Sequence, residues 1–246
     1  MGRQRIIIIG ATSAIAEHCA RLWAQQASDF VLVGRDQDRL EAVAADLRVR
    51  SPQSSTQAIV MDFSDPGAIA ALAKQTASEG RVDIVLIAHG NLPVQSDCQQ
   101  DVVLTRQALE INGLSPVLFA EAFAGQMEAA GSGTLAIIGS VAGDRGRKTN
   151  YVYGAAKGLI DRYAQGLQHR FAGTQIKIVL IKPGPTATPM TAHLPQRGLA
   201  SAEAVALRIV TAVAAGQPVV YAPARWWLIM MIIRHLPRVV FNRLNI

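Results

Sequence analysis

The sequence predicts an α/β fold, in which a doubly wound, seven-stranded parallel sheet lies between two layers of helices. Seven short runs rich in Ile, Val and Leu recur along the 246 residues. Each run is apolar on both faces, as is typical of strands that helices cover on both sides. Helix-length segments separate the runs, and this strict alternation indicates parallel strands in one domain. Half of the residues are hydrophobic, which is enough for a large core.

The predicted strands lie at 5–10, 29–34, 55–63, 82–90, 133–140, 176–184 and 218–223. Several of the helices between them begin after a residue that caps helices well, namely Asp36, Asp65 and Ser201. We predict a nucleotide-binding and catalytic domain over 1–224, which includes a mobile substrate lid at about 188–202. An apolar, basic tail over 225–246 follows and is not a separate domain.

The composition limits the cellular compartment and the classes of binding partner that we expect. Cys19 and Cys98 form no CxxC pair, which favours a reducing compartment and no metal site. The apolar run after Arg5 is too short for a signal peptide, so we expect a cytoplasmic protein. The net charge is +6, but no acidic residue follows Glu203, whereas five arginines do. With no aromatic-interleaved basic patch, nucleic acid is not expected; an anionic membrane surface or a phosphate-bearing substrate fits better.

The turn after the first strand, "GATSAIA" at 10–16, is a candidate pyrophosphate site. Gly10 permits a tight turn, and a helix N-terminus offers free N–H groups and a positive dipole to an anion. The same loop contains four further candidate cofactor-binding residues, Thr12, Ser13, Ala14 and Ile15. Arg35 directly follows the second strand, at a position where a carboxylate, if present, would bind the ribose of NAD. Arginine pairs well with a 2′-phosphate, so the sequence predicts NADP(H) rather than NAD(H).

A second constellation lies further along the chain. Tyr153 and Lys157 are four positions apart on a predicted helix and therefore share one face. Ser140 ends the fifth strand, at the sheet edge that faces the predicted cofactor. Asn112 lies within a helix, where asparagine is a poor helix former and needs another reason to be present.

In spacing and order, these four residues resemble the catalytic tetrad of the short-chain dehydrogenase/reductase family, whose members have a Rossmann-type fold. The resemblance covers about residues 5 to 190, although the family loop TGxxxGxG has Ala14 and Ala16 here in place of two glycines. It implies hydride transfer between NAD(P)(H) and a carbonyl or secondary alcohol. Tyr153 would be the acid–base group, with a pKa lowered by Lys157 and the positive nicotinamide.

The resemblance also implies that Lys157 binds the nicotinamide ribose, Ser140 holds the substrate oxygen and Asn112 anchors a water molecule. Asp62 would contact the adenine amino group, and Thr188 the carboxamide. The cofactor surface is completed by Phe63, Ala88, Gly90, Tyr153, Lys157, Pro183, Gly184 and Thr186. We interpret His89 as a packed histidine rather than a catalytic one.

Two features bear on the substrate. Arg145, Arg147 and Lys148 precede Tyr153 and form either a clamp for an anionic group or a solvated loop or subunit contact. Residues 226–233 are eight consecutive apolar residues, and their paired tryptophans suit a membrane interface. The alternative is that they pack on a partner subunit or on the substrate lobe.

Together, these features resemble the decaprenylphosphoryl-2-keto-ribose reductases, a branch of the family, and imply a polyprenyl-phosphate-linked 2-keto-pentose as substrate. The protein would then touch the inner face of the membrane through 225–246. Two alternatives remain open: a soluble reductase of a small ketone, sugar or acyl substrate, and a non-catalytic nucleotide-binding scaffold. Family members also commonly form homodimers or homotetramers, and we expect one of these here.

Overall fold

The computed structural model describes residues 3–26, 28–193 and 195–244. Every predicted strand run forms a strand of one sheet. In chain order the strands are β1 (Arg5–Ile9), β2 (Asp29–Gly34), β3 (Thr56–Val60), β4 (Ile84–Ile87), β5 (Ser132–Ile138), β6 (Gln175–Pro183) and, after a short pair β7 (Thr186–Ala187) and β8 (Ala200–Ser201), β9 (Val219–Ala222).

The seven-stranded sheet is parallel and has the order β3-β2-β1-β4-β5-β6-β9. The chain therefore winds outward in one direction from β1 and then in the other from β4, which confirms the doubly wound fold. In register, Ile9 pairs with Val33 on one side and with Ile87 on the other. The three strands end level with one another, so the loops that follow them meet at one edge of the sheet.

The helices are α1 (Ala14–Ala24), α2 (Gln37–Arg50), α3 (Pro66–Ser78), α4 (Gln95–Gln100), α5 (Val102–Leu109), α6 (Ser115–Ala130), α7 (Tyr151–Arg170), α8 (Ala202–Ala215), α9 (Arg225–His235) and α10 (Arg238–Phe241). All three predicted caps form: Asp36, Asp65 and Ser201 each accept a backbone hydrogen bond in the first turn of α2, α3 and α8. A π-helical turn at Glu110–Leu114 joins α5 to α6 and contains Asn112.

The core has two parts, one on each face of the sheet. Alternate residues of β1 divide between them: Ile6 and Ile8 pack toward α1, α2 and α8, and Ile7 and Ile9 toward α3, α6 and α7. This alternation follows from the period of two along a strand. Both faces of the sheet are buried, so polar side chains can reach the sheet chiefly at its edges and strand ends.

The tail begins with α9, which packs against the body through Trp226, Met230 and neighbouring apolar residues. They contact Val141, in a short 3₁₀ turn after β5, and Tyr221 of β9. The outer face of α9 remains exposed, with Trp227 57% and Ile232 55% accessible. Among the described helices, none has the length and apolar content needed to cross a membrane.

Candidate active site

A cavity of about 620 Å³ lies at the carboxyl edge of the sheet, where β1, β2, β4, β5 and β6 end. Its lining includes the four predicted catalytic residues, Asn112, Ser140, Tyr153 and Lys157, and most of the predicted cofactor residues, Gly10, Thr12, Ser13, Ala14, Ile15, Arg35, Phe63, Ala88, Gly90, Pro183, Gly184, Thr186 and Thr188. Residues far apart in sequence thus surround one volume.

Gly10 forms the turn between β1 and α1 at one end of the cavity. Its φ is +81°, and a Cβ there would lie 2.7 Å from the backbone nitrogen of His89. Only glycine fits such a position. The N-terminus of α1 begins at Ala14, which lines the cavity. Ala16 is fully buried and packs in the core, so its methyl group is accommodated there.

Two arginines border the same end. Arg35 lines the cavity, with its guanidinium carbon 5.9 Å from the ring centroid of Phe63. Arg39, which the sequence analysis missed, also lines it and donates a hydrogen bond of 3.2 Å to the carbonyl of Thr12. The available signal was the capping residue Asp36, which places Arg39 in the first turn of the helix directly after Arg35.

Asn112 is fully buried where the π-helical turn faces the cavity. Its side-chain oxygen accepts from the backbone N–H of Asn91 at 2.8 Å, and its amide group donates to the Asn91 side chain at 2.7 Å and to the carbonyl of Ala108 at 2.9 Å. Gly90 lies against it, because a Cβ there would be 2.8 Å from the Asn112 oxygen. Asn91 is a second residue that the sequence analysis did not identify.

Lys157 is buried and donates a hydrogen bond of 3.1 Å from Nζ to the carbonyl of Ile138, at the end of β5. The ammonium lies 5.7 Å from the ring centroid of Tyr153, on the same side of α7. Burial lowers the pKa of Lys157 to about 8, and the negative charge of Asp161 offsets part of this shift. The lysine is therefore close to its titration range at neutral pH.

Burial raises the pKa of Tyr153 to about 12, although a side-chain hydrogen bond with Ser140 acts in the opposite direction. The sequence led us to expect a pKa lowered by Lys157 together with the positive nicotinamide; in the chain without the cofactor, burial shifts the pKa in the opposite direction. Desolvation of the buried phenolate is the cause, and it outweighs the hydrogen bond with Ser140. Ser140 also accepts from the backbone N–H of Ala142 at 3.1 Å, which holds the turn after β5.

His89 lies under the cavity floor in a packed environment. Its Nε2 is 2.9 Å from the hydroxyl of Ser115, and its ring centroid is 4.7 Å from that of Phe63. Burial lowers its pKa to about 3, so the imidazole is uncharged at neutral pH. His89 is also part of the cavity lining, where it adds no charge.

Some predicted residues lie elsewhere. Asp62 is not among the described residues that line the cavity. Its carboxylate accepts hydrogen bonds from the backbone N–H and the hydroxyl of Ser64, both at 2.9 Å. Hydrogen bonds from Ser64 lower the pKa of that carboxyl. Of the three basic residues before Tyr153, Arg147 lines the cavity, whereas Lys148 is exposed outside it.

Arg145 points away from the cavity toward the tail. Its guanidinium donates to the carbonyls of Ile233 at 2.5 Å and Leu236 at 2.7 Å, and lies 3.7 Å from the ring centroid of Phe241. Helix C-termini leave carbonyl groups unpaired, and a cation satisfies them well. The structure therefore contradicts a three-residue clamp, because the end of α9 occupies the Arg145 side chain.

The predicted lid is tied at both ends, because β7 pairs with β8 in parallel. Thr188, Pro189, Met190 and Thr191 all line the cavity. Thr191 donates a hydrogen bond of 2.5 Å to the carbonyl of Thr186, which fixes the turn above the catalytic end. Leu194, which is also part of the predicted lid, lies outside the described residues.

The family model described as short chain dehydrogenase matches residues 4–198. This chain belongs to the short-chain dehydrogenase family. It is an NAD(P)-dependent oxidoreductase, and the cavity suits a dinucleotide: a helix N-terminus and a glycine turn lie at one end, and Ser140, Tyr153 and Lys157 at the other.

Related proteins align with nearly the whole length of this dehydrogenase. An uncharacterized oxidoreductase of Mycobacterium tuberculosis is 31% identical over 99% of this chain and 98% of its own. Another, from Streptomyces coelicolor, is 29% identical over 97% and 95%. The crystal structure of a short chain dehydrogenase from Burkholderia cenocepacia in complex with NADP has a TM-score of 0.83 at 15% identity, covering 99% of this chain and 98% of that one, which shows a shared fold.

Proposed function

We propose that the protein is an NADP(H)-dependent reductase that interconverts a carbonyl and a secondary alcohol, with Asn112, Ser140, Tyr153 and Lys157 as its catalytic residues. The single observation that carries this proposal is that all four line one cavity, which continues to the α1 N-terminus. A non-catalytic scaffold would not need this arrangement. NADPH oxidation with any carbonyl substrate would dismiss the scaffold alternative.

The bound nicotinamide cofactor supplies the hydride, and the chain supplies the proton. Ser140 donates a hydrogen bond to the substrate carbonyl oxygen and holds it beside the phenol. Tyr153 keeps its proton at neutral pH, because its pKa is about 12, and donates that proton to the oxygen as negative charge develops there. The raised pKa therefore suits the direction of carbonyl reduction.

Lys157 supports the phenol from one helical turn away. Its ammonium is fixed by the Ile138 carbonyl, and Asn112 and Gly90 lie next to it across the cavity floor. We assign it two tasks: to bind the nicotinamide ribose, and to stabilise the phenolate that remains after proton transfer. Asn112 is fixed by Asn91 and would position a water molecule for proton return.

The test of this mechanism is Tyr153→Phe, with Tyr151→Phe as the matched control. Tyr151 is on the same helix, is 45% exposed and is not part of the described cavity lining. We expect kcat to fall about 100-fold or more in the first variant, with little change in NADPH affinity. Near wild-type turnover of Tyr153→Phe would rule this residue out as the acid.

We propose NADP(H) as the preferred cofactor, on the basis of the two guanidinium groups at the adenosine end. Arg35 and Arg39 can both pair with a 2′-phosphate, which NAD(H) lacks. Each charge-assisted bond contributes about 1.5–3 kcal/mol, so Arg39→Ala should raise KM for NADPH about tenfold or more. KM for NADH should stay nearly constant. Arg48→Ala is the control, because Arg48 is on the same helix, α2, but its guanidinium pairs with Glu41. Equal effects on both cofactors would contradict the assignment.

For the substrate, we propose a polyprenyl-phosphate-linked 2-keto-pentose. Arg147 lines the cavity and offers a cation to an anionic group. Val141 lines it too and packs on Met230 of α9, so the apolar tail adjoins the catalytic end. A soluble small ketone, sugar or acyl substrate is the competing candidate. NADPH oxidation should be measured with both classes: efficient turnover of simple ketones alone would exclude the lipid-linked substrate.

We further propose that the outer face of the tail contacts an anionic membrane surface. Trp227 and Ile232 are more than half exposed, and arginines such as Arg234 and Arg238 flank them. The paired change Trp227→Ser with Ile232→Ser should reduce co-sedimentation with anionic vesicles severalfold, whereas Val49→Ser, at a site 81% exposed, should not. Equal vesicle binding by all three proteins would refute membrane contact here.

We also propose a homodimer or homotetramer. Val102, Leu109 and Leu114, on α5 and the π-helical turn, and Tyr151 and Leu159 on α7 are large exposed apolar residues. Light scattering of the purified protein tests this, and a monomer at micromolar concentration would contradict it.

A further inference from the structure

A chain of buried charges lies behind the catalytic end of the cavity. Lys182, near the end of β6, donates a hydrogen bond of 2.6 Å to Asp161 of α7 and another to Asp144. The side chains of Lys182, Asp161 and Asp144 are only 5%, 8% and 2% exposed. Tyr221 donates to the second oxygen of Asp144 at 2.9 Å. The mechanism above uses none of these groups.

Asp161 connects this chain of charges to the catalytic lysine. It follows Lys157 by four residues on α7, so the two side chains share one face of the helix. One carboxylate oxygen of Asp161 binds Lys182; the other, Oδ1, is buried without a hydrogen-bond partner. A Cβ atom added at Gly139 would lie 3.4 Å from that oxygen. Gly139 follows Ile138, whose carbonyl accepts the hydrogen bond from the Lys157 ammonium.

Apart from the Ile138 carbonyl, which accepts its hydrogen bond, the groups around Lys157 give its positive charge little support. Tyr153 on α7 is protonated, Asn112 in the π-helical turn is neutral, and His89 after β4 is uncharged because burial lowers its pKa to about 3. Lys182, beyond Asp161, has the same sign as Lys157. Among the described residues, Asp161 is the one anion that favours the ammonium of Lys157 against burial.

The charges also balance as a set. Burial disfavours the ammonium of Lys182, but Asp161 and Asp144 outweigh this effect and raise its pKa. Two buried cations, Lys157 and Lys182, thus face two buried anions. Buried charges are tolerated when they are paired in this way, and the removal of one member leaves another uncompensated.

We propose that Asp161 is a positioning residue for the reaction: its carboxylate, held by Lys182 behind α7, keeps Lys157 charged beside Tyr153. Lys182 and Asp144 are its supports, and they tie the turn after β5 and the end of β6 to the catalytic helix. This role rests on the function proposed above. It adds a residue that acts through Lys157 without touching substrate or cofactor.

The test compares Asp161→Asn with Asp144→Asn. Both changes remove one buried carboxylate from the same ammonium, Lys182, so both should lower thermal stability. Only Asp161 acts on Lys157. We therefore expect the alkaline limb of kcat, on which Lys157 loses its proton, to move to lower pH by about one unit in Asp161→Asn alone. In Asp144→Asn the limb should stay within about 0.3 unit of wild type.

A second measurement does not depend on turnover. An NMR pH titration of the protein with ¹³C-labelled lysine, in which the Lys157→Arg spectrum assigns the signal, gives the pKa of Lys157 directly. It should fall in Asp161→Asn and hardly change in Asp144→Asn. If wild type reduces no carbonyl substrate, the proposed function fails, but the titration still tests whether Asp161 holds the charge of Lys157.

If Asp161→Asn does not fold, Asp161→Ser, which also removes the carboxylate and leaves Lys182 paired with Asp144, should show the same direction of shift. Asp161→Glu keeps the charge and should restore most of the wild-type limb. An unchanged pKa of Lys157 in the Asn variant, or equal shifts in the Asp161 and Asp144 variants, would overturn the proposal.

Discussion

Lys182→Met should strongly destabilise the protein, because it removes a buried positive charge. Methionine fills a similar volume, so the loss of charge is the main change. Both Asp161 and Asp144 lose their buried cation, and each is less than a tenth exposed. Breaking a buried ion pair by removing one partner costs about 3–5 kcal/mol. For a domain of this size each kcal/mol lowers Tm by roughly 2–4 °C, so we expect a loss of about 6–20 °C.

The pH dependence of this loss identifies its cause. Burial already raises the pKa of Asp161 above its usual value, and removal of Lys182 raises it further. A carboxyl whose pKa is raised in the folded state destabilises that state above its folded pKa, and the penalty disappears as pH falls and the group becomes neutral. The stability gap between wild type and variant should therefore be largest near about pH 8 and shrink toward about pH 5.

Urea denaturation at several pH values measures this gap, with Lys177→Met as the control. Lys177 is on the same strand but is exposed, and its ammonium donates to a backbone carbonyl. Its loss should change the free energy of unfolding by about 0.5 kcal/mol or less. A Lys182→Met deficit below about 1 kcal/mol, or one that is constant with pH, would refute the buried-charge reasoning.

The remaining predictions concern the cavity walls. Gly10→Ala should lose about 2 kcal/mol or more and bind NADPH weakly, because φ is +81° and the Cβ would lie 2.7 Å from the His89 backbone; urea denaturation and cofactor titration measure both effects. In Gly184→Ala the Cβ would lie 1.9 Å from Trp226 Nε1, so the indole must leave its site and tryptophan emission should shift to the red. Ser140→Ala should lower kcat by about tenfold to 100-fold with KM for NADPH unchanged, because the substrate oxygen loses a donor. Unchanged behaviour in any of these assays would contradict the corresponding contact.

The sequence was a good guide where the evidence was local. Strand runs and caps follow from apolar periodicity and from single residues such as Asp36, and all of them formed. The four candidate catalytic residues were grouped in advance by their resemblance to the family tetrad. Geometry placed Ser140 among them, because parallel strand ends share one edge of the sheet. The π-helical turn around Asn112 was not foreseen, since its side-chain bonds to Asn91 depend on a loop 21 residues away in sequence.

Electrostatic environment was the weaker part of the reasoning. Sequence spacing placed Lys157 near Tyr153, but it gave no measure of burial, and burial raises the phenol pKa to about 12. Arg145 looked equivalent to Arg147, yet the end of α9, about ninety residues away, binds its guanidinium. In both cases the deciding group belongs to another part of the chain.

By itself, then, the sequence determined the order of strands and helices, the turn at Gly10 and the spacing of Tyr153 and Lys157, because these depend on neighbouring residues and on backbone geometry. Tertiary structure alone decided which charges are buried together. Lys182 meets Asp144 and Asp161 only after β6 has paired in the sheet and α7 has packed across it. Desolvation and Coulomb energy depend on distance in space, and distance along the chain does not fix them.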